Sequence, residues 1–336
     1  MIPFMRNLID SFIFNDEIDI LKFRLEAYKD IVDFTVIAES QYTFSGAKKR
    51  LRASEFLESI SYDQAKIVFV NYEPSPELIK NSLHDRWAIE RFARQSISDS
   101  FGNFSPEDLI IISDVDELPS PEQIEMASQL KGIHTLMTPL YHRKANWLSL
   151  QGKSWATAKL GPIKEFSDLN SLRYAKMPLI KKYPGMHLSY LAINDSDVRA
   201  KALNSAHSEH LQDLDFMNSA VAWANEFRLE HLPRFNRKYQ GLLKVQTESE
   251  LSNFQRAFFQ NYPAYFDFSP VKHSYFERAR ASLSLQKSWD NQTPISGGLK
   301  DLALSEVAVQ LVGSWKYRQT RRIRLKFKSL WGRVHG

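Results

Sequence analysis

The chain has 336 residues and no cysteine, and it is 43% hydrophobic and 12% aromatic. This length fits one large domain or a core domain with an appended lobe, and the apolar content excludes global disorder. The lack of cysteine excludes a disulfide framework, a thiolate metal site and a cysteine nucleophile. The net charge of +5 arises at one end, because eight of the 44 basic residues and no acidic residue follow Glu306, which leaves 36 basic against 39 acidic residues elsewhere.

The first 130 residues alternate between strand and helix patterns. A strand is predicted over 8–14, and the helix after it has apolar residues spaced by three and four on one face: Ile18, Leu21, Leu25 and Tyr28. Further strands are predicted at 34–38, 67–70 and 109–112, and further helices at 76–100 and 121–130. Strand and helix in turn predict right-handed crossovers and a mostly parallel sheet, the layout of many nucleotide-binding α/β proteins.

Beyond Gly132 this alternation is lost. Strand patterns occur at 134–141, 153–160 and 186–191, and helical patterns occur at 197–205 and 215–228. The segment 231–270 is rich in aromatic residues and has no clear period. We therefore predict an α/β domain over residues 1–240, a helical or irregular extension over 241–313, and a basic aromatic tail over 314–336.

Carboxylates follow the apolar strand at 109–112. Asp114, Asp116 and Glu117 are delivered to the carboxyl edge of the predicted sheet, where ligands of open α/β sheets bind. Two carboxylates at this spacing can approach one Mg²⁺ or Mn²⁺ ion. Such an ion neutralises charge on a departing nucleotide diphosphate. The alternative is a pair of solvated acids in a turn, with Asp116 or Ser113 capping the next helix.

Two other strand ends carry polar side chains that suit a nucleotide. Asn15 and Asp16 follow the first strand and can contact a base or a ribose, although Asp16 can equally cap the helix. Glu39 follows the second strand and suits recognition of uracil or a sugar hydroxyl, or an ordinary exposed loop. There is no glycine-rich loop after the first strand, so a dinucleotide fingerprint and a P-loop are both absent.

Several blocks in this order resemble glycosyltransferase family 17. The match is dense over residues 8–46 and 81–121, and thinner blocks lie at 185–190 and 205–210. The resemblance implies a GT-A type fold with a Rossmann-like, mostly parallel sheet. It also implies a nucleotide-sugar donor, UDP-GlcNAc in the animal members, and an inverting transfer that leaves a β linkage.

By the same resemblance, Asp114 and Asp116 are the metal-binding pair, and Asp114 also belongs to the donor site. We expect residues 1–130 to form the nucleotide-sugar half of the domain and residues 131–240 the acceptor half. The absence of cysteines and of an N-terminal membrane anchor indicates a bacterial or viral member rather than a Golgi enzyme.

The second half supplies the remaining candidates. His187 or His207 suits a third metal ligand, and each is equally suited to a structural role as a hydrogen-bonded histidine. Glu209 or Asp195 is the candidate general base that takes the proton of the acceptor hydroxyl. Arg86, in a predicted helix, can reach the donor phosphates, or it can lie on a solvated helix face.

The tail at 315–333 interleaves its cations with aromatic residues. This pattern suits an anionic membrane surface, although a segment docked on the body or a disordered end fits it too. Nothing beyond charge supports nucleic-acid binding. No segment has the length of a membrane span or the pattern of a signal peptide, so we expect a cytoplasmic protein, peripheral at the inner face of the plasma membrane.

The sequence thus predicts a metal-dependent inverting glycosyltransferase that uses Mn²⁺ or Mg²⁺. We expect it to move GlcNAc from a UDP-sugar donor to a glycan or glycolipid acceptor such as lipopolysaccharide or capsule. One alternative is a nucleotidyltransferase acting on sugar phosphates, which usually has the glycine-rich phosphate loop that this chain lacks. The other is a non-catalytic carbohydrate-binding protein, which needs no paired carboxylates such as Asp114 and Asp116.

Overall fold

The computed structural model describes residues 6–60, 63–82, 85, 87–150, 155–204, 214–230 and 241–291. The chain divides into two compact units. One comprises Met1–Leu214 and Leu243–Pro270, and the other comprises Asp215–Leu242 and Val271–Gly336. Residues 243–270, predicted from the sequence to belong to a C-terminal extension, therefore cluster with the first unit. The domain boundaries drawn from the sequence stay a prediction.

A seven-stranded sheet, in the order β10-β6-β9-β4-β1-β2-β3, forms the centre of the first unit, and a five-stranded sheet has the order β12-β8-β7-β11-β5. The strands are β1 (Leu8–Ile13), β2 (Phe34–Glu39), β3 (Ile67–Asn71), β4 (Leu109–Asp114), β5 (Glu117–Leu118), β6 (His134–Leu136), β7 (Leu140–His142), β8 (Trp147–Ser149), β9 (Lys159–Pro162), β10 (Leu179–Ile180), β11 (Met186–Ser189) and β12 (Leu243–Val245). In the larger sheet β3, β2, β1 and β4 run parallel, whereas β9 is antiparallel to β4 and β6. The predicted α/β class with a mostly parallel central sheet is confirmed.

The described helices flank these sheets in the first unit and make up much of the described part of the second. They are α1 (Ile18–Tyr28), α2 (Arg52–Glu58), α3 (Pro76–Asn81), α4 (Ala88–Ser96), α5 (Pro121–Ser128), α6 (Leu169–Tyr174), α7 (Asp195–Asn204), α8 (Leu214–Phe227), α9 (Asn253–Asn261) and α10 (Tyr275–Asn291). Ser75 and Ser120 cap α3 and α5, and each is followed by proline in the first turn, as helix starts favour. In the second unit, the Trp223 indole donates to the Ala281 carbonyl, which joins α8 to α10.

Side chains of the parallel strands alternate between two apolar cores, as the strand period requires. Phe12, Ile37 and Ile111 pack on the face that α1 covers. The adjacent residues Ile13, Val36, Ile110 and Ile112 pack on the face that α4 covers. Phe23 of α1 meets Phe258 of α9 edge to face, with ring centroids 4.9 Å apart. The segment that contains α9 is therefore built onto the side of the sheet that carries α1.

Two elements that the sequence predicted as single are divided in the structure. The helix predicted over 76–100 is α3, α4 and a 3-10 segment, because Asp85 accepts from the Trp87 amide and begins a new helical turn. The strand predicted over 134–141 is β6 and β7, which belong to different sheets. Pro139 separates them, since proline has no amide hydrogen for a sheet.

Helix α9 lies in the stretch where the sequence analysis found no period. Its start is a capping box: Ser252 accepts from the Gln255 amide, and the Gln255 side chain accepts from the Ser252 amide. This serine-to-glutamine spacing is the signal that predicts the helix. Among the described residues no helix has both the length and the apolar character needed to cross a membrane. The tail at 315–333 lies outside the described residues.

Lys159 on β9 is a buried basic residue that should make the free energy of unfolding depend on pH. Its side chain is almost fully buried and donates to the Thr135 hydroxyl over 2.8 Å. Burial lowers the pKa of Lys159 from 10.5 to about 8, although the Glu117 carboxylate opposes the shift. Between these values the unfolded chain binds one proton more than the native chain, so the free energy of unfolding rises with pH by about 3 kcal/mol in total.

The measurement is urea unfolding of wild type and Lys159→Met from pH 7 to pH 10.5. The other titrating groups are common to both proteins, so wild type should gain stability relative to the variant above pH 8. Parallel pH profiles for the two proteins would contradict the assignment.

Candidate functional site

The candidate site lies at the carboxyl edge of the parallel sheet. β1 and β4 are neighbours, and Ile13 is paired in register with Asp114. The residues that follow β1, among them Asn15 and Asp16, therefore share this edge with the segment 114–117 that follows β4. Asn15 is buried, whereas Asp16 is exposed and forms an ion pair with Arg52.

Arg24 of α1 anchors the backbone of the 114–117 segment. It is fully buried and pairs with Asp10 through two hydrogen bonds of 2.7 and 2.6 Å. Its Nη1 lies 3.0, 3.2 and 3.1 Å from the carbonyl oxygens of Asp114, Val115 and Glu117. The guanidinium thus holds the backbone where the chain passes from the end of β4 to the start of β5.

Both carboxylate oxygens of Asp114 are bound by guanidinium groups. Arg94 of α4 donates to Oδ1 over 3.0 Å, and Arg173 of α6 donates to Oδ2 over 2.7 Å. Both arginines are buried, and Arg94 also pairs with Glu90. The charge of Asp114 is therefore neutralised within the fold.

Glu117 completes this buried network. Its carboxylate accepts from the Trp155 indole over 3.0 Å, from the Thr157 hydroxyl, and from two nitrogens of Arg173 over 2.9 and 3.0 Å. Burial alone would raise the pKa of Glu117, but the Arg173 guanidinium and these hydrogen bonds hold it well below its ordinary value. Glu117 is thus a buried anion whose hydrogen bonds fix the conformation of the 114–117 segment.

Asp116 has a different environment from its two neighbours. Its Oδ2 accepts from Lys201 Nζ of α7 over 3.2 Å, and its Oδ1 lies 3.6 Å from His187 Nε2 of β11. Lys201 Nζ also lies 3.1 Å from Glu17 Oε1. Burial raises the pKa of Asp116, although Lys201 and His187 oppose the shift. The Lys201 ammonium thus lies between the Glu17 carboxylate, which follows β1, and the Asp116 carboxylate, which follows β4.

The fit of this site to a divalent ion is partial. The described part of the chain holds no group of three histidine, aspartate or glutamate side chains arranged around one ion. The separation of 3.6 Å between Asp116 and His187 is too long for a hydrogen bond. It is compatible with two ligands of a common ion, because two bonds of about 2.1 Å span up to about 4.2 Å. Asp114, as placed, already binds two guanidinium groups, and His207 lies outside the described residues.

An open cleft of about 400 Å³ adjoins these residues in the first unit. Its lining contains the carboxylates Asp16, Glu17, Asp19 and Asp197, the cations Arg52 and Lys201, and Asn15, Ile18, Ile20, Leu191, Ala200 and Tyr265. Carboxylates therefore outnumber cations in this lining. The Tyr265 hydroxyl donates to Asp19 over 2.8 Å, so residues after α9 contribute to the cleft.

Glu39 and Asp195, two other residues selected from the sequence, contact parts of the fold itself. Glu39 is buried, binds the Lys49 ammonium over 2.7 Å, and accepts from the amides of Arg52 and Ala53 at the start of α2. Asp195 forms an ion pair with Arg143 at the start of α7. These contacts cap α2 and tether α7, and the roles in donor binding and proton transfer stay predictions.

Arg86, His207 and Glu209 lie outside the described residues. Lys201, in contrast, was not selected from the sequence although it lines the cleft. The sequence contains an indication of its position, because Lys201 follows Asp197 by four positions in a helical pattern. Residues at this spacing share one face of a helix. Charge alone did not distinguish it from the other lysines of the chain.

This is a mixed α/β domain with carboxylates at the carboxyl edge of its parallel strands, the edge at which ligands of open α/β sheets bind. The sequence model of glycosyltransferase family 17 matches residues 2–222, more than half of the chain. The chain therefore belongs to glycosyltransferase family 17, and the resemblance inferred from its sequence blocks is confirmed.

Three characterised relatives match over 125 residues. They are the β-1,4-mannosyl-glycoprotein 4-β-N-acetylglucosaminyltransferases of Rattus norvegicus, Homo sapiens and Mus musculus, which are 27%, 27% and 26% identical to this chain. The matched segment is 35% of this chain and 23% of each relative. This chain thus covers less than a quarter of the length of the relatives that it matches.

Proposed function

We propose that this protein is a glycosyltransferase with a GT-A type fold that transfers GlcNAc from a UDP-sugar to a glycan acceptor. The observation that carries the proposal is the position of Asp116, at the carboxyl edge of β4 and joined through Lys201 to an open cleft. Membership of family 17 supports the reaction class, and the activity named for the relatives supports GlcNAc as the sugar.

The proposed reaction is a single inverting displacement. The acceptor hydroxyl oxygen bonds to the anomeric carbon while the bond from that carbon to the diphosphate oxygen breaks, and the electron pair stays on the diphosphate. The hydroxyl proton passes to a carboxylate base, for which Asp195 and Glu209 are the candidates. An α-linked donor sugar then leaves as a β-linked product together with UDP.

We also propose that the enzyme uses Mn²⁺ or Mg²⁺. Asp116 and His187 are the described residues that would hold the ion, and its charge would stabilise the departing diphosphate. The excess of carboxylates over cations in the cleft supports this requirement, because an anionic donor binds more favourably once that charge is offset. Asp114 and His207 stay predicted ligands.

For the acceptor we propose a cell-surface glycan or glycolipid, such as lipopolysaccharide or capsule. The basic aromatic tail at 315–333 supports contact with an anionic membrane at the inner face of the plasma membrane, beside a lipid-linked acceptor. The remaining two functions, nucleotidyl transfer to a sugar phosphate and sugar binding without turnover, are outcomes of the experiment below.

The experiment is donor-dependent thermal stabilisation with Mn²⁺ present. UDP-GlcNAc is compared with UDP-Gal, UDP-Glc, GDP-Man and CMP-sialic acid, and release of the nucleotide of each donor (UDP, GDP or CMP) is followed with and without a glycan acceptor. Because binding to the native state raises the melting temperature, we expect a selective shift with UDP-GlcNAc. Ala200→Trp fills the cleft without removing a charge and should abolish the shift. Ala65→Trp, exposed just before β3 at the amino edge of the sheet, should retain it.

A shift in wild type and Ala65→Trp that is lost in Ala200→Trp supports the donor cleft. Stabilisation by a nucleotide sugar without release of its nucleotide in the presence of glycan acceptors points to a binding protein. In a parallel reaction with UTP and GlcNAc 1-phosphate, release of pyrophosphate points to nucleotidyl transfer. The absence of any shift with every nucleotide sugar contradicts the proposed function.

A further inference from the structure

Lys201 is the cation of the described site that lies between both strand ends and the cleft. Its ammonium is 3.1 Å from the Glu17 carboxylate, which follows β1, and 3.2 Å from the Asp116 carboxylate, which follows β4. We propose that Lys201 is a catalytic residue that binds the diphosphate of the donor and stabilises it as it departs. This inference rests on the proposed function and names the residue that receives the leaving group.

Three other cations near this edge are buried within the fold. Arg94 and Arg173 are buried against Asp114, and Arg24 is buried against Asp10. Lys201, in contrast, keeps about a fifth of its side chain exposed and lines the cleft. It is therefore the described cation next to Asp116 that a ligand in the cleft can reach.

Arg52 also lines the cleft, but its position is less suitable. It pairs with Asp16, and about half of each side chain is exposed to water. Exposed pairs of this kind are screened by solvent and hold their geometry weakly. Lys201 has partners from two different strand ends, and such partners define its position before a donor binds.

The two carboxylates prepare Lys201 for this role. Glu17 and Asp116 both lie within hydrogen-bond distance of its ammonium, at 3.1 and 3.2 Å, and hold it between the two strand ends. An ammonium has three N–H donors, and pairing with two carboxylates leaves one for a phosphate oxygen. Preorganised charge at the point where negative charge develops is a large contribution to catalysis.

The helix that carries Lys201 is fixed at its start. Asp195 pairs with Arg143, and the Asp197 carboxylate accepts from the amides of Ile193 and Asn194 over 3.0 and 3.1 Å. Asp197 and Lys201 are four residues apart on α7, and both line the cleft. These contacts at the start of α7 therefore fix the position of the Lys201 ammonium.

In the proposed step, the bond between the anomeric carbon and the diphosphate oxygen breaks, and its electron pair remains on that oxygen. Lys201 donates a hydrogen bond to the diphosphate and keeps its proton, so the proton of the acceptor passes to the base and not to this residue. The role is electrostatic, and it predicts that phosphate-containing ligands depend on Lys201 whereas the nucleoside does not.

The test is calorimetric titration of the full chain with UDP, inorganic pyrophosphate and uridine at saturating Mn²⁺. Lys201→Met should lose affinity for UDP and pyrophosphate on the order of tenfold or more, because a charged hydrogen bond is removed, and should keep its affinity for uridine. Lys201→Arg should recover part of the loss. Lys164→Met, which removes an exposed lysine paired with Glu107, is the matched control and should bind all three ligands as wild type does.

Transfer kinetics give a second readout. Lys201→Met should lower kcat as well as raise KM, because the interaction strengthens while charge develops on the leaving group. Equal UDP affinity in Lys201→Met and wild type would overturn the inference, and so would an equal loss for uridine, which indicates a structural role. A different result would contradict the proposed function itself. In that case wild type would bind pyrophosphate through Lys201 without binding any UDP-sugar.

Discussion

Asp116→Asn should lower kcat/KM for sugar transfer by about 10²–10³-fold, a change comparable to losing one preorganised group that stabilises transition-state charge. The carboxylate contacts Lys201 and faces His187, so its loss removes the anion that fixes the ammonium and the proposed ligand of the metal. Asparagine keeps the size of the side chain, and Lys201 retains Glu17 as a partner, so the fold should be preserved.

The measurement is initial-rate kinetics with UDP-GlcNAc, together with Mn²⁺ affinity from electron paramagnetic resonance of the free ion. Glu122→Gln, an exposed carboxylate on α5, is the matched control and should leave both quantities unchanged. A loss of activity with unchanged Mn²⁺ affinity would remove Asp116 from the metal site and leave it as the partner of Lys201. Activity within threefold of wild type would contradict any central role for Asp116.

The position of the carboxylates at the carboxyl edge of the sheet was predictable, because the sequence patterns that indicate it are local. The strand at 109–112 is apolar, and its end is marked by carboxylates, so the place of Asp114 and Asp116 follows from the order of strands and the rule for ligand sites in α/β sheets. The helix after β1 was equally clear from its apolar spacing. Such patterns depend only on neighbours along the chain.

The difference between Asp114 and Asp116 could not be predicted in the same way. The partner of Asp114 on α6, Arg173, is 59 residues away, and the partner of Asp116 on α7, Lys201, is 85 residues away. Two acids in one motif thus acquire different environments through long-range contacts that carry no local pattern. The segment with Tyr265 lies beyond the stretch matched by the family model, so its contribution to the cleft came from the structure alone.

Arg24→Met should lower the free energy of unfolding by about 3–5 kcal/mol, the range found when one partner of a buried ion pair is removed. Asp10 is buried and would be left without its partner, and the carbonyl groups of the 114–117 turn would lose their donor. The measurement is urea unfolding at low temperature. Lys22→Met, on an exposed position of the same helix, should have a far smaller effect.

The double variant Asp10→Leu/Arg24→Met separates the two causes of this loss. Removing the orphaned carboxylate should restore part of the stability, since much of the penalty is the uncompensated charge of Asp10 and not the net value of the pair. Transfer activity should be low in both Arg24→Met and the double variant, because neither has a guanidinium to hold the turn that carries Asp116. Recovery of activity together with stability would show that Arg24 serves the fold alone.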